Sequence, residues 1–178
     1  MGSAALLLVC GFFWAGCSRT QPDSPETAFH RYAFVSNGKS DTVTVVDLDG
    51  FRVARTVAVG DDPTGVTASP VRNEVYVVNT GSGSVSVLNA ETLKSEATIP
   101  VGQSPFSLEL SPDGKIGYVA NAGSASVSIV DLEARRVRRT IATGRRPGEA
   151  RVSPDGKDRK STRLNSSHIQ KSRMPSSA

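Results

Sequence analysis

The sequence predicts an all-β protein made of β-propeller blades, each with four antiparallel strands, in an incomplete ring of about three blades. Segments that begin at Ala33, Val75 and Gly117 align without a gap at a constant offset of 42 residues. Each segment contains short runs rich in Val, Ile and Thr, which favour strands. The 16 Gly and 10 Pro residues favour turns over long helices. Four short strands in roughly 40 to 50 residues is the spacing of a propeller blade.

The central repeat defines the strands, which we label A to D in chain order. They are predicted at 65–69, 74–78, 84–88 and 93–99. The turn between B and C, at 79–83, consists of Asn, Thr, Gly and Ser, which tolerate positive φ or hydrogen-bond their own backbone. One such sheet cannot bury both of its faces, so neighbouring blades must stack on it.

Two motifs carry a resemblance to a known family. Residues 75–79 read VYVVN and residues 117–121 read GYVAN, which resemble the Tyr-Val-Thr-Asn signature of the YVTN β-propeller repeat family. The resemblance covers about residues 32–157 and implies the propeller fold. It implies no single activity, because these propellers occur in exported proteins of many roles. Similar propellers include lactonase-like hydrolases, quinoprotein dehydrogenases and haem-binding reductases.

The N-terminus predicts a targeting segment. Residues 4–16 carry no charge, and thirteen residues are too few for a membrane-spanning helix, which needs about 20, but fit a secretory signal. The Ala-Gly pair before Cys17 resembles a bacterial lipobox, which implies cleavage before Cys17 and lipidation of its sulfur. Trp14 stands where the lipobox has Leu, so an ordinary cleaved signal or a buried apolar segment is the alternative. We therefore expect a signal peptide at 1–16, a tether at 17–31 and a protein that is lipid-anchored to the outer membrane or faces the periplasm.

The C-terminal segment 158–178 departs from the repeat. It lacks apolar periodicity and resembles translated adapter or vector read-through, so we predict that it is non-native; a disordered basic tail is the alternative. Its last 20 residues hold 5 of the 21 basic residues and no acid, which leaves 16 basic against 17 acidic residues elsewhere. The formal charge of +4 is therefore a property of the tail, and we expect no nucleic-acid partner. We expect the chain to be a fragment of a larger ring; two three-bladed chains that pair into one ring are the alternative.

Residue types restrict the chemistry that the blades offer. Residues 31–167 contain neither His nor Cys, which removes Cys nucleophiles, triads with an internal His and most metal sites. We therefore predict no catalytic residue, no cofactor and no metal ligand. Strand A lines the channel of a propeller, and its alternation turns Thr67, Glu109 and Arg151 towards that channel. One hypothesis is that Glu109 and Arg151 form a charged pair in the channel, where ligands of propellers often bind; the favoured interpretation is a structural ion pair or two solvated charges.

Three further sets of residues recur or cluster. Aromatic residues occupy one position of strand B, at Phe34, Tyr76 and Tyr118, and predict packing between blades rather than a stacking platform for a ligand. The Asn that ends each strand B is expected to bond the turn backbone. Six Arg residues between 135 and 146 are predicted to guard the outer edge strand against edge-to-edge pairing; an anionic lipid partner is the alternative.

The sequence thus favours an exported cell-envelope β-propeller that acts as a binding or scaffolding module for a protein, peptide or small ligand. The alternative is an N-terminal fragment of a propeller enzyme or redox protein of the lactonase-like, quinoprotein or haem-binding kind.

Overall fold

The computed structural model describes residues 31–153 and the backbone of two short strands at 159–163 and 172–173. Four antiparallel sheets make up this described part. Their strands are, for sheet 1, β1 (Tyr32–Asn37), β2 (Thr42–Asp47) and β3 (Arg52–Ala58); for sheet 2, β4 (Pro63–Ala68), β5 (Glu74–Asn79), β6 (Ser84–Asn89) and β7 (Lys94–Pro100); for sheet 3, β8 (Pro105–Leu110), β9 (Ile116–Asn121), β10 (Ser126–Asp131) and β11 (Arg136–Ala142); and for sheet 4, β12 (Pro147–Val152), β13 (Arg159–Arg163) and β14 (Ser172–Arg173).

The sheet order confirms the predicted blade. Sheets 2 and 3 each hold four strands that pair in chain order, so they are complete A-B-C-D blades. Sheet 1 holds strands B, C and D, and sheet 4 begins with strand A. The strands of sheet 2 begin and end within two residues of the bounds predicted from the repeat. A one-turn 3-10 helix, Gly38–Ser40, joins β1 to β2. Among the described residues, no helix has the length and apolarity that crossing a membrane requires.

The segment after β12 occupies the place of a strand B. Val152 pairs with Arg159 in sheet 4, as Ala68 pairs with Val75 in sheet 2. The backbone therefore continues the blade register over residues 159–163, although their sequence departs from the repeat. Residues 1–30, which include the predicted signal peptide, Cys17 and most of the tether, lie outside the described residues.

The core lies between the sheets, because each strand sends alternate side chains to opposite faces. On β5, Val75 and Val77 belong to the apolar cluster shared with sheet 1, whereas Tyr76 and Val78 belong to the cluster shared with sheet 3. A smaller cluster around Tyr118 lies between sheets 3 and 4. The repeated aromatic position thus packs between blades, as predicted.

The turn between strands C and D has the same construction in all three described repeats. An Asp or Asn side chain accepts two backbone N–H groups of the turn and so holds its shape. The residue that ends the turn is bulky and has a left-handed backbone; it is Phe51 (φ 48°), Leu93 (φ 53°) or Arg135 (φ 52°). We call this position the turn key.

Candidate functional site

The inner strands β4, β8 and β12 lie side by side and form the candidate site. Thr67 lies on β4, Glu109 on β8 and Arg151 on β12, at equivalent places of three successive blades. Thr67 and Glu109 line one shallow depression of about 380 Å³ at the ends of these strands, and Arg151 does not line it. The structure therefore brings two of the three predicted channel residues to one depression.

The hypothetical charged pair between Glu109 and Arg151 does not form. Arg151 instead donates from Nη2 to Glu149 Oε1 at 2.6 Å, and both side chains are largely open to solvent. Residues two apart on a strand share a face, so this partner on its own strand is nearer to Arg151 than a side chain of the next blade. Glu109 is half-buried.

Hydroxyl groups join the inner strands to one another. Thr67 Oγ1 donates to the Leu108 carbonyl oxygen at 3.1 Å, and Ser107 Oγ donates to the Gly148 carbonyl oxygen at 3.1 Å. Each bond links one blade to the next, so these hydroxyls serve the scaffold. The polar groups that the inner strands leave for a ligand are Glu109 together with the Glu149–Arg151 pair.

A second polar cluster, which sequence reasoning missed, lies between sheets 2 and 3. Arg135 reaches from the turn of sheet 3 to sheet 2, where its Nη2 lies 3.3 Å from Glu74 Oε1 and 2.8 Å from Glu96 Oε2. The Tyr76 hydroxyl donates to the other oxygen of Glu74. We call these four residues the Arg135 cluster. The signal that could have revealed it is the substitution of Arg for Leu and Phe at the turn key.

Mutual contact sets the charge states of the Arg135 cluster. The hydrogen bond from Arg135, with a second from Asn89, lowers the pKa of Glu96. Burial, together with the adjacent Glu74 carboxylate, raises the pKa of the Tyr76 phenol, which stays neutral. The cluster is therefore a structural ion pair with a buried phenol donor.

The predicted basic edge is partly neutralised. Arg135 precedes β11 and bonds across the junction, and Arg138 donates to Asp131 Oδ2 at 2.7 Å within its own sheet. Asp131 Oδ1 also accepts the backbone N–H groups of Glu133 and Ala134. These two hydrogen bonds, together with the bond from Arg138, lower the pKa of the Asp131 carboxyl. Arg135 and Arg138 are therefore paired with acids, and the predicted role of the six Arg residues in guarding the edge stays a prediction.

The Asn that ends strand B bonds hydroxyl groups of strand C instead of the turn backbone that the sequence predicted. The buried Asn79 amide donates to Ser84 and Ser86 on the next strand, at 3.0 and 2.9 Å. Asn121 makes the equivalent pair of bonds, and its oxygen accepts the backbone N–H of Gly102 at 3.1 Å. These Asn residues therefore belong to the scaffold.

Other features of the described residues do not form a reactive site. A cavity of about 520 Å³ between β1 and β5 is lined by aromatic and charged side chains that include Tyr32, Phe34, Arg72 and Glu74. Arg72 lies 3.7 Å from Glu74 and balances its charge. Over the described part of the chain, no three His, Cys, Asp or Glu side chains gather closely enough to hold a metal ion.

Comparison with known proteins identifies the family to which this architecture belongs. A family model described as a YNCE-like beta-propeller matches residues 65–175, which is more than half of the chain. The chain belongs to the YNCE-like β-propeller family. The match includes residues 159–163, which pair with β12. No curated protein matches the chain.

Solved structures show the same fold in longer proteins. Hydrazine synthase of Kuenenia stuttgartiensis is 32% identical, with a TM-score of 0.72 over 80% of this chain and 41% of that one. A candidate 6-phosphogluconolactonase of Bacteroides uniformis is 23% identical, with a TM-score of 0.67 over 79% and 46%. The dihydro-heme d1 dehydrogenase NirN is 15% identical, with a TM-score of 0.63 over 74% and 30%. This chain thus spans less than half the length of each.

Proposed function

We propose that this propeller is a non-enzymatic binding or scaffolding module that presents its inner strands to a protein, peptide or small ligand. The observation that carries the proposal is the construction of those strands. Hydroxyl bonds join β4, β8 and β12 into a rigid face, and Glu109, Glu149 and Arg151 remain on it as exposed or half-exposed charges. Fixed charges of both signs on a rigid surface suit recognition of a zwitterionic ligand such as a peptide.

The residue inventory supports binding over catalysis. Residues 31–167 contain no His or Cys, so this range supplies neither a Cys nucleophile nor a His base. The carboxylates of the inner face include Glu149, which Arg151 already pairs at 2.6 Å. Such a pair can orient a ligand through charge, and Glu109, the other carboxylate of this face, has no second acid or base paired with it among the described residues.

Titration of the isotope-labelled chain with short zwitterionic peptides tests the binding function. We expect the largest NMR shift changes at the backbone N–H groups of β8 and β12, and weaker binding after Glu109→Gln or Arg151→Gln. The matched control is Arg136→Gln on the outer strand β11, which should leave binding unchanged. Shift changes confined to the outer strands, or equal loss in the control variant, would contradict the proposal.

We propose further that the protein is exported and anchored to the outer membrane, facing the periplasm, through lipid on Cys17. The apolar run before Cys17 and the small residues next to it support this. In cells, we expect globomycin to block processing and Cys17→Ala to release the protein from the membrane fraction. Processing that survives Cys17→Ala would refute lipidation, and the control Cys10→Ala should leave anchoring intact.

A second candidate function rests on one likeness. Hydrazine synthase is 32% identical over 80% of this chain, which favours a place in a propeller enzyme or redox protein whose active groups lie on other blades. Absorbance spectra and metal analysis of the protein purified from its native host test this candidate. A haem or quinone spectrum would support it over the binding module, and a spectrum of protein alone would oppose it.

A further inference from the structure

A cavity between sheets 1 and 2 combines an aromatic wall with charges of both signs. It measures about 520 Å³, which lies in the range of small-molecule sites, and its lining includes Tyr32, Phe34, Ala68, Arg72 and Glu91. We propose that this cavity, which we call the sheet 1–2 cavity, binds a small zwitterion with an aromatic ring, the chemistry of a free aromatic amino acid. Its charged residues differ from those of the inner strands, so the proposal does not depend on the proposed function.

The space for an aromatic ring comes from small residues at positions that the next junction fills. Ala68 and Ala90 line the cavity, whereas the residues one repeat later, Leu110 and Leu132, pack in the apolar cluster between sheets 2 and 3. Val75 returns part of this volume, because sheet 3 has a glycine at its position. Two leucine side chains thus give way to one added valine side chain, and the difference leaves room for a ligand.

Tyr32 and Phe34 form the aromatic wall. They lie two residues apart on β1, so their side chains share one face of the strand. Both are half-buried and pack on the apolar cluster between the two sheets. In sheet 2, Glu74 stands at the position of Tyr32, so the equivalent wall of the next junction has one aromatic side chain instead of two. A planar ring can stack on such a pair or meet it edge to face.

Arg72 supplies the place for a carboxylate. Its side chain is 26% exposed, and its Nη1 lies 3.7 Å from Glu74 Oε2, which is too far for a hydrogen bond. Glu74 has closer partners, which are the Tyr76 hydroxyl and the Arg135 guanidinium at 3.3 Å. Among the described residues, no group accepts a hydrogen bond from the Arg72 guanidinium. A ligand carboxylate would accept two such bonds in the side-by-side geometry that arginine favours.

Glu91 supplies the place for an ammonium group. Its Oε1 accepts a hydrogen bond from Asn73 Nδ2 at 2.5 Å, and Asn73 follows Arg72 in the chain, so the anion and the cation stand near each other. The lining holds Glu74 and Glu91 against Arg72. A simple carboxylate would therefore meet an excess of negative charge, and a simple amine would meet the guanidinium. A zwitterion complements both charges.

Calorimetric titration of the full chain with L-phenylalanine and three analogues tests the proposal. Phenylalanine amide lacks the carboxylate, 3-phenylpropanoate lacks the ammonium group, and L-alanine lacks the ring. We expect phenylalanine to bind with a dissociation constant below about 1 mM, and each analogue to bind at least about tenfold more weakly. In NMR spectra, phenylalanine should shift the backbone N–H signals of β1 and of residues 90–93 most.

Variants of the lining locate the bound molecule. Arg72→Gln should weaken phenylalanine at least about tenfold and leave phenylalanine amide unchanged. Ala68→Leu and Ala90→Leu, which place the leucines of sheet 3 in the cavity, should each block binding; the melting temperature shows that a variant is folded, and if one is not, the other decides. The matched controls Arg55→Gln and Ala54→Leu, on the exposed strand β3, should bind as the unchanged chain does.

Three results would overturn the proposal. The first is the absence of phenylalanine binding at about 5 mM, well above the expected dissociation constant. The second is equal binding of phenylalanine and 3-phenylpropanoate, which would remove the role of the ammonium group. The third is binding that survives a folded leucine variant or Arg72→Gln, which would place the bound molecule outside the sheet 1–2 cavity.

Discussion

The sheet 1–2 junction and the sheet 2–3 junction share one backbone design and differ in chemistry. Leu93 is 9% exposed and lies among Val and aromatic side chains of both sheets. Arg135, at the same turn position of the next blade, lies between two Glu side chains of sheet 2. The φ angles of the two keys differ by only 1°, at 53° and 52°.

The difference between Leu93 and Arg135 shows how blades with the same backbone can present different chemistry at their junctions. A long side chain at this fixed, left-handed position reaches the preceding sheet. There Leu93 contacts apolar side chains and Arg135 contacts two carboxylates, so we expect that neither residue suits the other's surroundings. Such rejection is a common route to specificity between similar surfaces. The backbone fixes the position of the side chain at the turn key, and the identity of that residue decides which side chains of the preceding sheet it complements.

Exchanging the apolar key for the charged one should have the largest effect. We expect Leu93→Arg to lower the free energy of unfolding by about 2–4 kcal/mol, because the guanidinium loses water without gaining a carboxylate. Urea denaturation measures it. The matched control Phe51→Arg, at the exposed key, should cost less than about 0.5 kcal/mol; equal losses would contradict the role of burial.

Removing the charged key should cost less, and the loss should be recoverable. We expect Arg135→Leu to destabilise by about 1–2 kcal/mol, since it leaves Glu96 without its cation and leaves Glu74 with Arg72 alone, at 3.7 Å. Adding Glu74→Tyr and Glu96→Ala should restore most of that loss. Calorimetry measures both variants against Arg136→Leu on the exposed edge. A triple variant that is no more stable than Arg135→Leu alone would show that residue 135 and the residues it faces on sheet 2 are not matched to one another.

Acid should weaken the sheet 2–3 junction before the sheet 1–2 junction. The pKa of Glu96 is lower in the folded state, first because Arg135 donates a hydrogen bond to it. Its contribution to stability is therefore complete above the unfolded-state pKa of about 4.3 and is lost as pH falls through the folded-state pKa. Hydrogen exchange between pH 6 and pH 3.5 should show faster opening at sheet 3, and Glu96→Gln should reduce this pH dependence. An unchanged pH dependence would refute the assignment.

The smallest effect concerns the last residue of the turn before strand C, which differs between the two complete blades. Gly83 has φ 61°, and its equivalent in sheet 3 is Ala125, with φ 47°. We expect Gly83→Ala to cost about 1 kcal/mol, because a Cβ there meets a carbonyl oxygen at 3.2 Å in a left-handed backbone. Ala125→Gly should gain up to about 0.5 kcal/mol. Opposite signs in urea denaturation would confirm that both blades share this backbone; equal signs would not.

The repeat predicted most of the fold because strand and turn signals are local. The aligned Asn, Gly and Pro positions placed each strand of sheet 2 within two residues, and the aromatic positions of strand B packed between sheets as expected. The same reasoning failed at Arg151, whose partner is Glu149 rather than Glu109. It also failed at Arg135, because nothing in its own segment indicates the two acids of the preceding blade.

The sequence by itself determined the blade, its 42-residue register and the absence of His and Cys from residues 31–167, since these follow from residue order alone. Only the tertiary structure decided which side chains meet between blades. Stacking brings residue 135 against residues 74 and 96, and sequence periodicity does not encode distances across so many positions.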